Sequence, residues 1–109
     1  MSSIKSYKEI KLENGEWINR IKGLNQSDWV KACEKIGLYI PDGYGKGSHV
    51  AVYKDNKCMP QDVSCCVVTI PRNIYPNFQR DLFKKVLFYG IVNNKFSEKE
   101  LWEALGLKI

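Results

Sequence analysis

The segment from Cys65 to Ile70 restricts the fold more than any other part of the chain, because almost every position is apolar or β-branched. Such a run favours a β-strand, and Pro71, which lacks a backbone N–H, ends it. Strands without a polar face are usually central in a sheet or covered on both sides. We therefore expect a sheet that contains this strand, with other elements packed over it.

Two further strands are predicted on its N-terminal side. The first is short, residues 38–40, and stops at Pro41, whereas the second spans residues 48–54. A turn and an expanded loop over 55–63 lead into the third strand, 64–70. Connections this short favour an antiparallel meander, since parallel strands need long crossovers.

A first helix is predicted over residues 27–36. Asn25 or Ser27 is suited to cap its N-terminus with a side-chain oxygen, and Gly37 is suited to end it in the left-handed conformation. The i, i+4, i+7 spacing of a buried helix face is provided by Trp29, Cys33 and Ile36.

A second helix is predicted over residues 77–89, closed by Gly90. Phe88 falls on its polar side, and a phenylalanine there requires a cover. The buried stripe of this helix consists of Phe78, Leu82, Phe83, Val86 and Tyr89.

Ser97 and Glu100 form a capping box that predicts a third helix near the C-terminus. Leu101, Trp102 and Leu105 give this helix an apolar face. We expect it to pack back near Phe88. Otherwise Trp102 and Phe88 would form an exposed patch that another chain could cover.

Residues 1–25 fit two descriptions. Asn14-Gly15 lies between the alternating segments 10–12 and 17–19, which favours a β-hairpin. A helical stripe is the alternative, formed by Trp17, Ile18, Ile21 and Leu24. We expect the hairpin, as an extension laid on the core.

The predicted order is helix, three strands, helix, which gives an α+β class with both helices on one face of an antiparallel sheet. This is the order of double-stranded-RNA-binding domains. We expect a single domain, 1–109, with a core at 26–91, an N-terminal extension at 1–25 and a helical C-terminal extension at 92–109.

The net charge of +5, from 17 Lys+Arg against 12 Asp+Glu, favours an anionic partner, although a basic surface without such a partner is also common. No apolar run approaches the ~20 residues of a membrane helix, and we expect a cytoplasmic protein. Four cysteines occur without a C-x-x-C pair, at positions Cys33, Cys58, Cys65 and Cys66. We interpret them as reduced packing residues, and their spacing gives a zinc site little support.

His49 is the only histidine among the 109 residues, and it follows the glycine-rich loop 41–47. Strand alternation places His49 and Tyr53 on one face and the two valines, Val50 and Val52, on the other. The valines are expected to face the helices, which turns His49 outward. The alternative is a histidine that caps the strand or bonds to a nearby backbone group.

Four pieces of the chain, in order, resemble the HicA family, the mRNA-interferase toxins of HicA–HicB toxin–antitoxin pairs. The resemblance covers about residues 26–91. Its pieces are residues 31–37 at the end of the first helix, Gly47-Ser48-His49, residues 67–71 in the third strand, and residues 81–87 with Gly90-Ile91.

The resemblance implies a double-stranded-RNA-binding-like fold, RNA cleavage centred on His49, inhibition by a HicB-like antitoxin, and no metal or other cofactor. The chain departs from the family by its extensions at both ends and its longer loop after the second strand. Asn73 stands where the family often has a second histidine after the third strand. A relative that binds RNA without cleaving it is therefore an alternative.

Metal-independent RNA cleavage needs a base for the 2′-hydroxyl proton and a cation or acid for the phosphate and the leaving oxygen. A free imidazole, which titrates near pH ~6.5, suits either proton-transfer role, so His49 is the catalytic candidate, with Lys46 or Arg72 as cation. The candidate RNA-binding residues are Lys46, Gly47, Ser48, Tyr53, Arg72, Lys84 and Lys85. A non-catalytic RNA-binding module and a small protein-interaction domain remain as alternatives.

Overall fold

The computed structural model describes residues 6–12, 18–21, 23–41, 49–58 and 63–107, and it has an α+β fold. Short 3₁₀ turns lie at Tyr7–Glu9 and Val63–Cys65. The helices are α1 (Ile18–Ile21), α2 (Gln26–Lys35), α3 (Pro76–Val92) and α4 (Glu98–Ala104), and the strands are β1 (His49–Tyr53) and β2 (Cys66–Pro71). None of the helices in these ranges is long and apolar enough to cross a membrane.

The sheet in the described residues has two antiparallel strands, with Val50 paired to Ile70 and Ala51 to Thr69. The predicted strand 38–40 is reduced to one bridge, in which Tyr39 and Tyr53 exchange N–H···O bonds of 2.9 and 2.8 Å. The segment is confined at its start, because the Leu38 N–H bonds back to Cys33 O at the end of α2. Pro41 then follows closely and has no N–H to extend a ladder.

β2 is covered on one face only, which corrects the expectation of a strand without an open face. Val68 and Ile70 are buried, whereas Val67 is half-buried and Thr69 is exposed. Gln26 Nε2 at the start of α2 donates to Ile70 O at 3.0 Å and so ties the helix to this strand. The other face of β2 stays accessible.

α2 confirms the first predicted helix to within one residue at each end. Asn25 is its N-cap, and its side chain accepts from the Asp28 N–H while the Asp28 carboxylate accepts from the Asn25 N–H, both at 2.9 Å. Gly37, with φ of 93°, adopts the left-handed conformation after the helix. Trp29 and Cys33 on the predicted face are fully buried.

α3 continues to Val92, so the prediction that Gly90 ends it is wrong. The Phe96 ring lies directly over Gly90, in space that a Cβ atom would need. The helix ends beyond it, where Asn94 has φ of 54° and the Lys95 N–H bonds to Gly90 O at 2.8 Å. Gly90 therefore serves close packing of the returning chain.

α4 packs against α2 and α3, and the expectation that it covers Phe88 is wrong. Trp102 is fully buried, with its ring centroid 4.1 Å from that of Phe83. Trp29 also packs on Phe83, edge to face, with ring centroids 6.4 Å apart and an interplanar angle of 75°. A surface patch formed by Trp102 and Phe88 is therefore excluded. Three aromatic rings instead join α2, α3 and α4.

A buried amide also connects α2 with α3. Trp29 Nε1 donates to Gln79 Oε1 at 2.7 Å, and Gln79 Nε2 donates to Leu24 O at 2.7 Å. Gln79 has no solvent exposure. Both ends of its amide are paired, which is what makes a polar group tolerable in a core.

Residues 18–21 are helical where part of the second hairpin strand was expected. Residues 18–21 form α1, whereas Asn14-Gly15 lies outside the described residues. Ile10 and Ile21 are both buried and belong to the same core as the central helices. The helical stripe was therefore the better interpretation of Ile21, whose burial decides the conformation here.

Two of the four cysteines correct the expectation of reduced thiols. Cys58 and Cys65 form a disulfide, with Cα atoms 5.9 Å apart. The turn after β1 and the 3₁₀ turn before β2 bring them together. Cys33 and Cys66 are free, and Cys33 is a packing residue as predicted.

Burial gives Cys33 a measurable effect on alkaline stability. Desolvation, and secondarily the nearby Glu34 charge, raises the pKa of the Cys33 thiol from 9.0 to about 12. The folded chain thus keeps a proton that the unfolded chain releases above pH ~9. We expect the free energy of unfolding to fall by about 1.4 kcal/mol per pH unit from this group between pH ~9 and ~11.

Urea titrations at several alkaline pH values test this expectation, with Cys33→Ala as the matched control. Other groups titrate in both proteins, so the difference between the two pH profiles isolates the thiol. Parallel profiles above pH ~9 would contradict a thiol held neutral by burial.

Candidate nucleic-acid interface

A groove of about 740 Å³ lies between β2 and one face of α3. We call it the His49 groove. The side chains that matter for its chemistry are His49, Asn73 and Lys85, with the rings of Tyr7, Tyr75, Phe78 and Phe88.

His49 reaches this groove because of the alternation in β1. Val50 and Val52 are fully buried against the core, which turns the exposed His49 to the opposite side, as predicted. His49 is the first residue of β1 and pairs with Pro71, the last residue of β2. The imidazole is thus held on a sheet at one end of the groove.

The α3 wall of the groove is a single helix face. Phe78, Lys85 and Phe88 are spaced i, i+7, i+10, which places them on one side of α3. Phe78, predicted as part of the buried stripe, is half-buried and lines the groove instead. This placement explains why a phenylalanine occurs outside that stripe. Phe88 is half-buried in this groove, and the N-terminal 3₁₀ turn packs on the same helix.

Lys85 is oriented by two aromatic rings. Its Nζ atom lies 5.2 Å from the ring centroid of Tyr7 and 5.6 Å from that of Phe78. Both distances are within the range of cation–π attraction. A half-buried lysine with its ammonium group held in this way presents one fixed positive charge to an anion in the groove.

Tyr75 adds a flat apolar surface at the rim. Its side chain is 72% exposed, the highest value among the large hydrophobic residues described. Tyr75 precedes Pro76, and the extended backbone that a residue before proline prefers, here φ −72° and ψ 154°, directs it away from the helix. Exposed tyrosines of this kind can stack on unpaired bases.

The sequence-predicted residues are distributed unevenly around this groove. Lys46, Gly47 and Ser48 lie outside the described residues. Arg72 is exposed between Pro71 and Asn73, two residues that line the groove. Lys85 lines the groove itself, whereas its neighbour Lys84 faces a separate cleft.

Tyr53 does not face the groove, and the prediction that it points to solvent is wrong. Its side chain is only 5% exposed. The register shifts between Val52 and Tyr53, where Val67 is the extra residue on β2, and the bridge to Tyr39 pairs the Tyr53 backbone on its other side. Tyr53 is therefore a core residue, and Tyr75 is the strongly exposed ring at this groove.

Sequence reasoning missed Tyr7 and Tyr75 as site residues. Tyr7 belongs to a segment whose position on α3 depends on tertiary packing, and nothing local to it signals a site. Tyr75 had a usable signal, since a residue directly before a helix-starting proline is held in an extended conformation outside the helix.

The described residues contain no group of three or more histidine, cysteine or acidic side chains that could hold a metal ion. Cys66 does line the groove, but it bonds weakly to Val68 O, with Sγ 3.7 Å away. No protein-family model, curated protein or solved structure matches this chain.

Proposed function

We propose that this chain is a HicA-like endoribonuclease that binds single-stranded mRNA in the His49 groove and cleaves it without a metal ion. One observation carries the proposal: the only imidazole of the chain is exposed in a groove that also holds an oriented lysine and several aromatic rings. Imidazole, cation and stacking surface are the three kinds of group that such a reaction uses.

The reaction uses the nucleophile that RNA itself contains. The 2′-hydroxyl oxygen bonds to the adjacent phosphorus, the bond from phosphorus to the 5′-oxygen breaks, and a 2′,3′-cyclic phosphate and a 5′-hydroxyl result. His49 takes the 2′-hydroxyl proton or, in the alternative assignment, donates a proton to the 5′-oxygen. Water supplies the other transfer.

Lys85 is the cation that the groove offers for the charge on the phosphorane. Its ammonium group faces the same space as His49, and the two flanking rings restrict its movement. Preorganised charge of this kind stabilises a transition state without reorganisation during the reaction. Arg72, exposed beside the groove, is the second candidate for this role.

The aromatic rim favours single-stranded over paired RNA. Tyr75 and the groove rings have faces on which unstacked bases can lie, a mode that contributes about 1–3 kcal/mol per base. Bases inside an A-form duplex cannot reach such surfaces. An mRNA strand is thus the substrate class that fits the groove.

The finer features of the HicA resemblance belong to the same proposal. The Tyr39–Tyr53 bridge is where a third strand of a double-stranded-RNA-binding-like sheet would join β1. The proposed partner is a HicB-like antitoxin, and the proposed compartment is the cytoplasm. In a reducing cytoplasm Cys58 and Cys65 would be two adjacent thiols.

His49→Ala tests the proposal. We expect RNA cleavage to fall by at least ~100-fold, the usual contribution of a general acid or base, and growth inhibition on expression to disappear. Because His49 is exposed, the variant should keep the circular dichroism spectrum and the unfolding midpoint of the wild type. The measurement is cleavage of a labelled single-stranded RNA by protein purified free of any antitoxin.

Lys31→Ala, an exposed substitution on α2, is the control and should cleave like the wild type. Equal cleavage by His49→Ala and the wild type would overturn the assignment of His49.

A non-catalytic RNA-binding module is the second candidate, and Asn73 favours it. Asn73 lines the groove together with His49, so the position where a second imidazole would act holds a group that cannot transfer protons. Wild-type protein that binds RNA in a salt-dependent way but leaves it intact would establish this candidate. Protein without salt-dependent RNA binding would instead be an interaction domain.

A further inference from the structure

A second cleft, of about 600 Å³, separates the N-terminal segment from α3 and is strongly basic. We call it the basic cleft. Its four cations are Lys8, Lys11, Arg80 and Lys84, and its one acidic residue is Glu9. The excess of three positive charges is concentrated in one concave surface, where the field attracts anions more strongly than it would over a flat one.

The two sides of the basic cleft are held in place by local structure. Ser6 and Glu9 form a capping box around the 3₁₀ turn, in which the Glu9 carboxylate accepts from the Ser6 N–H at 3.2 Å. Ile10 is 4% exposed and anchors the segment in the core. Lys8 and Lys11 are thereby carried by an ordered part of the chain.

Arg80 and Lys84 form the opposite side, one turn apart on α3. Like charges at this spacing destabilise a helix by about 0.2–0.5 kcal/mol. Such a cost is expected where the charges serve binding.

The basic cleft shares a wall with the His49 groove. Tyr7 lines the groove and the next residue, Lys8, lines the cleft. On α3, Lys85 lines the groove and Lys84 lines the cleft. A strand that leaves the groove over Tyr7 therefore passes directly onto four cations.

We propose that the basic cleft binds backbone phosphates of the RNA strand that flank the nucleotide in the His49 groove. This inference rests on the proposed function and defines its substrate as a polynucleotide longer than the groove. Phosphate contacts of this kind position a strand without reading its sequence. The N-terminal segment thus supplies one side of the RNA-binding surface.

The test compares two double variants that each remove two positive charges. Lys11→Gln with Arg80→Gln alters the basic cleft, and Lys31→Gln with Lys99→Gln removes exposed charges from α2 and α4. Binding is measured by fluorescence anisotropy with non-cleavable 2′-O-methyl RNA, as a trinucleotide and as a dodecanucleotide, over a range of salt concentrations.

We expect the cleft variant to bind the dodecanucleotide about 10-fold more weakly than the wild type does. The slope of log K against log salt should decrease by about 1.4, since each phosphate contact to a single strand contributes about 0.7. The trinucleotide, which serves as the short strand confined to the groove, should bind equally to all three proteins. The control pair should change dodecanucleotide binding less than twofold.

Equal losses in the two double variants, or equal losses for both oligonucleotides, would overturn the role of the basic cleft. If the wild type cleaves RNA and the cleft variant binds the dodecanucleotide like the wild type, the role of the basic cleft is refuted and the ribonuclease proposal is retained. If the wild type does not cleave RNA but the cleft variant shows the expected loss of binding, the ribonuclease proposal is refuted and the role of the basic cleft is retained. Wild-type protein that binds neither oligonucleotide would refute both.

Discussion

Trp102→Ala should lower the free energy of unfolding by about 3–5 kcal/mol, the range for truncation of a buried tryptophan. Trp102 has no solvent exposure and lies on the Phe83 ring, with centroids 4.1 Å apart. Its indole N–H also donates to Glu98 Oε2 at 2.9 Å, which ties the ring to the first turn of α4. Truncation removes both interactions and leaves a cavity between α2, α3 and α4. Urea unfolding followed by far-ultraviolet circular dichroism measures the loss.

Two further substitutions separate the ring from its surroundings. Trp102→Phe keeps an aromatic ring next to Phe83 and should lose less than half as much stability as Trp102→Ala. Glu103→Ala changes an exposed neighbour on α4 and should stay within about 0.5 kcal/mol of the wild type. A loss below about 1 kcal/mol for Trp102→Ala would mean that α4 contributes little to the core.

Gly90→Ala should destabilise the protein by about 2 kcal/mol, although the same change inside a helix normally stabilises by about 1 kcal/mol. The reason is the Phe96 ring, which occupies the space of the added methyl group. Phe96 is 6% exposed, and its ring centroid lies 6.3 Å from that of Tyr89, so it has little room to move away. Overpacking of this kind typically costs about 1–3 kcal/mol. Thermal and urea unfolding both report it.

The Phe96→Ala background provides the control. Phe96→Ala removes the ring, and Gly90→Ala introduced there should recover its ordinary stabilisation of about 1 kcal/mol. A change of sign between the two backgrounds identifies the ring contact as the cause. Stabilisation by Gly90→Ala in the wild-type background would show that the ring is not closely packed on the helix.

The elements with strong local signals were predictable from the sequence. α2 has a cap, a periodic buried face and a left-handed glycine, and all three occur in the structure. The signals failed where packing at a distance decides the outcome. Gly90 carries the usual mark of a helix end, but its partner Phe96 only becomes visible once the chain has turned back.

The site was predictable in part, for the same reason. Valine burial fixes the direction of His49, because alternation within one strand is a local property. The burial of Tyr53 occurs where the register against β2 shifts and where Tyr39 pairs with it, and both features require knowledge of pairing between distant segments. Lys84 and Lys85 are adjacent in sequence but line different cavities. The N-terminal 3₁₀ turn, which packs on α3, divides these cavities with Tyr7 on one side and Lys8 on the other.

The two glutamine contacts of the core have a mechanical consequence for the groove. Gln26 bonds α2 to β2, and Gln79 bonds α2 to α3. One helix is therefore attached to both elements that form the walls of the groove. If α3 slid along α2, the Trp29 N–H and the Gln79 oxygen would be buried without a hydrogen-bond partner. This would cost about 1–3 kcal/mol for each group. The spacing between β2 and α3, and with it the width of the proposed RNA-binding groove, is thus held by two contacts that both involve α2.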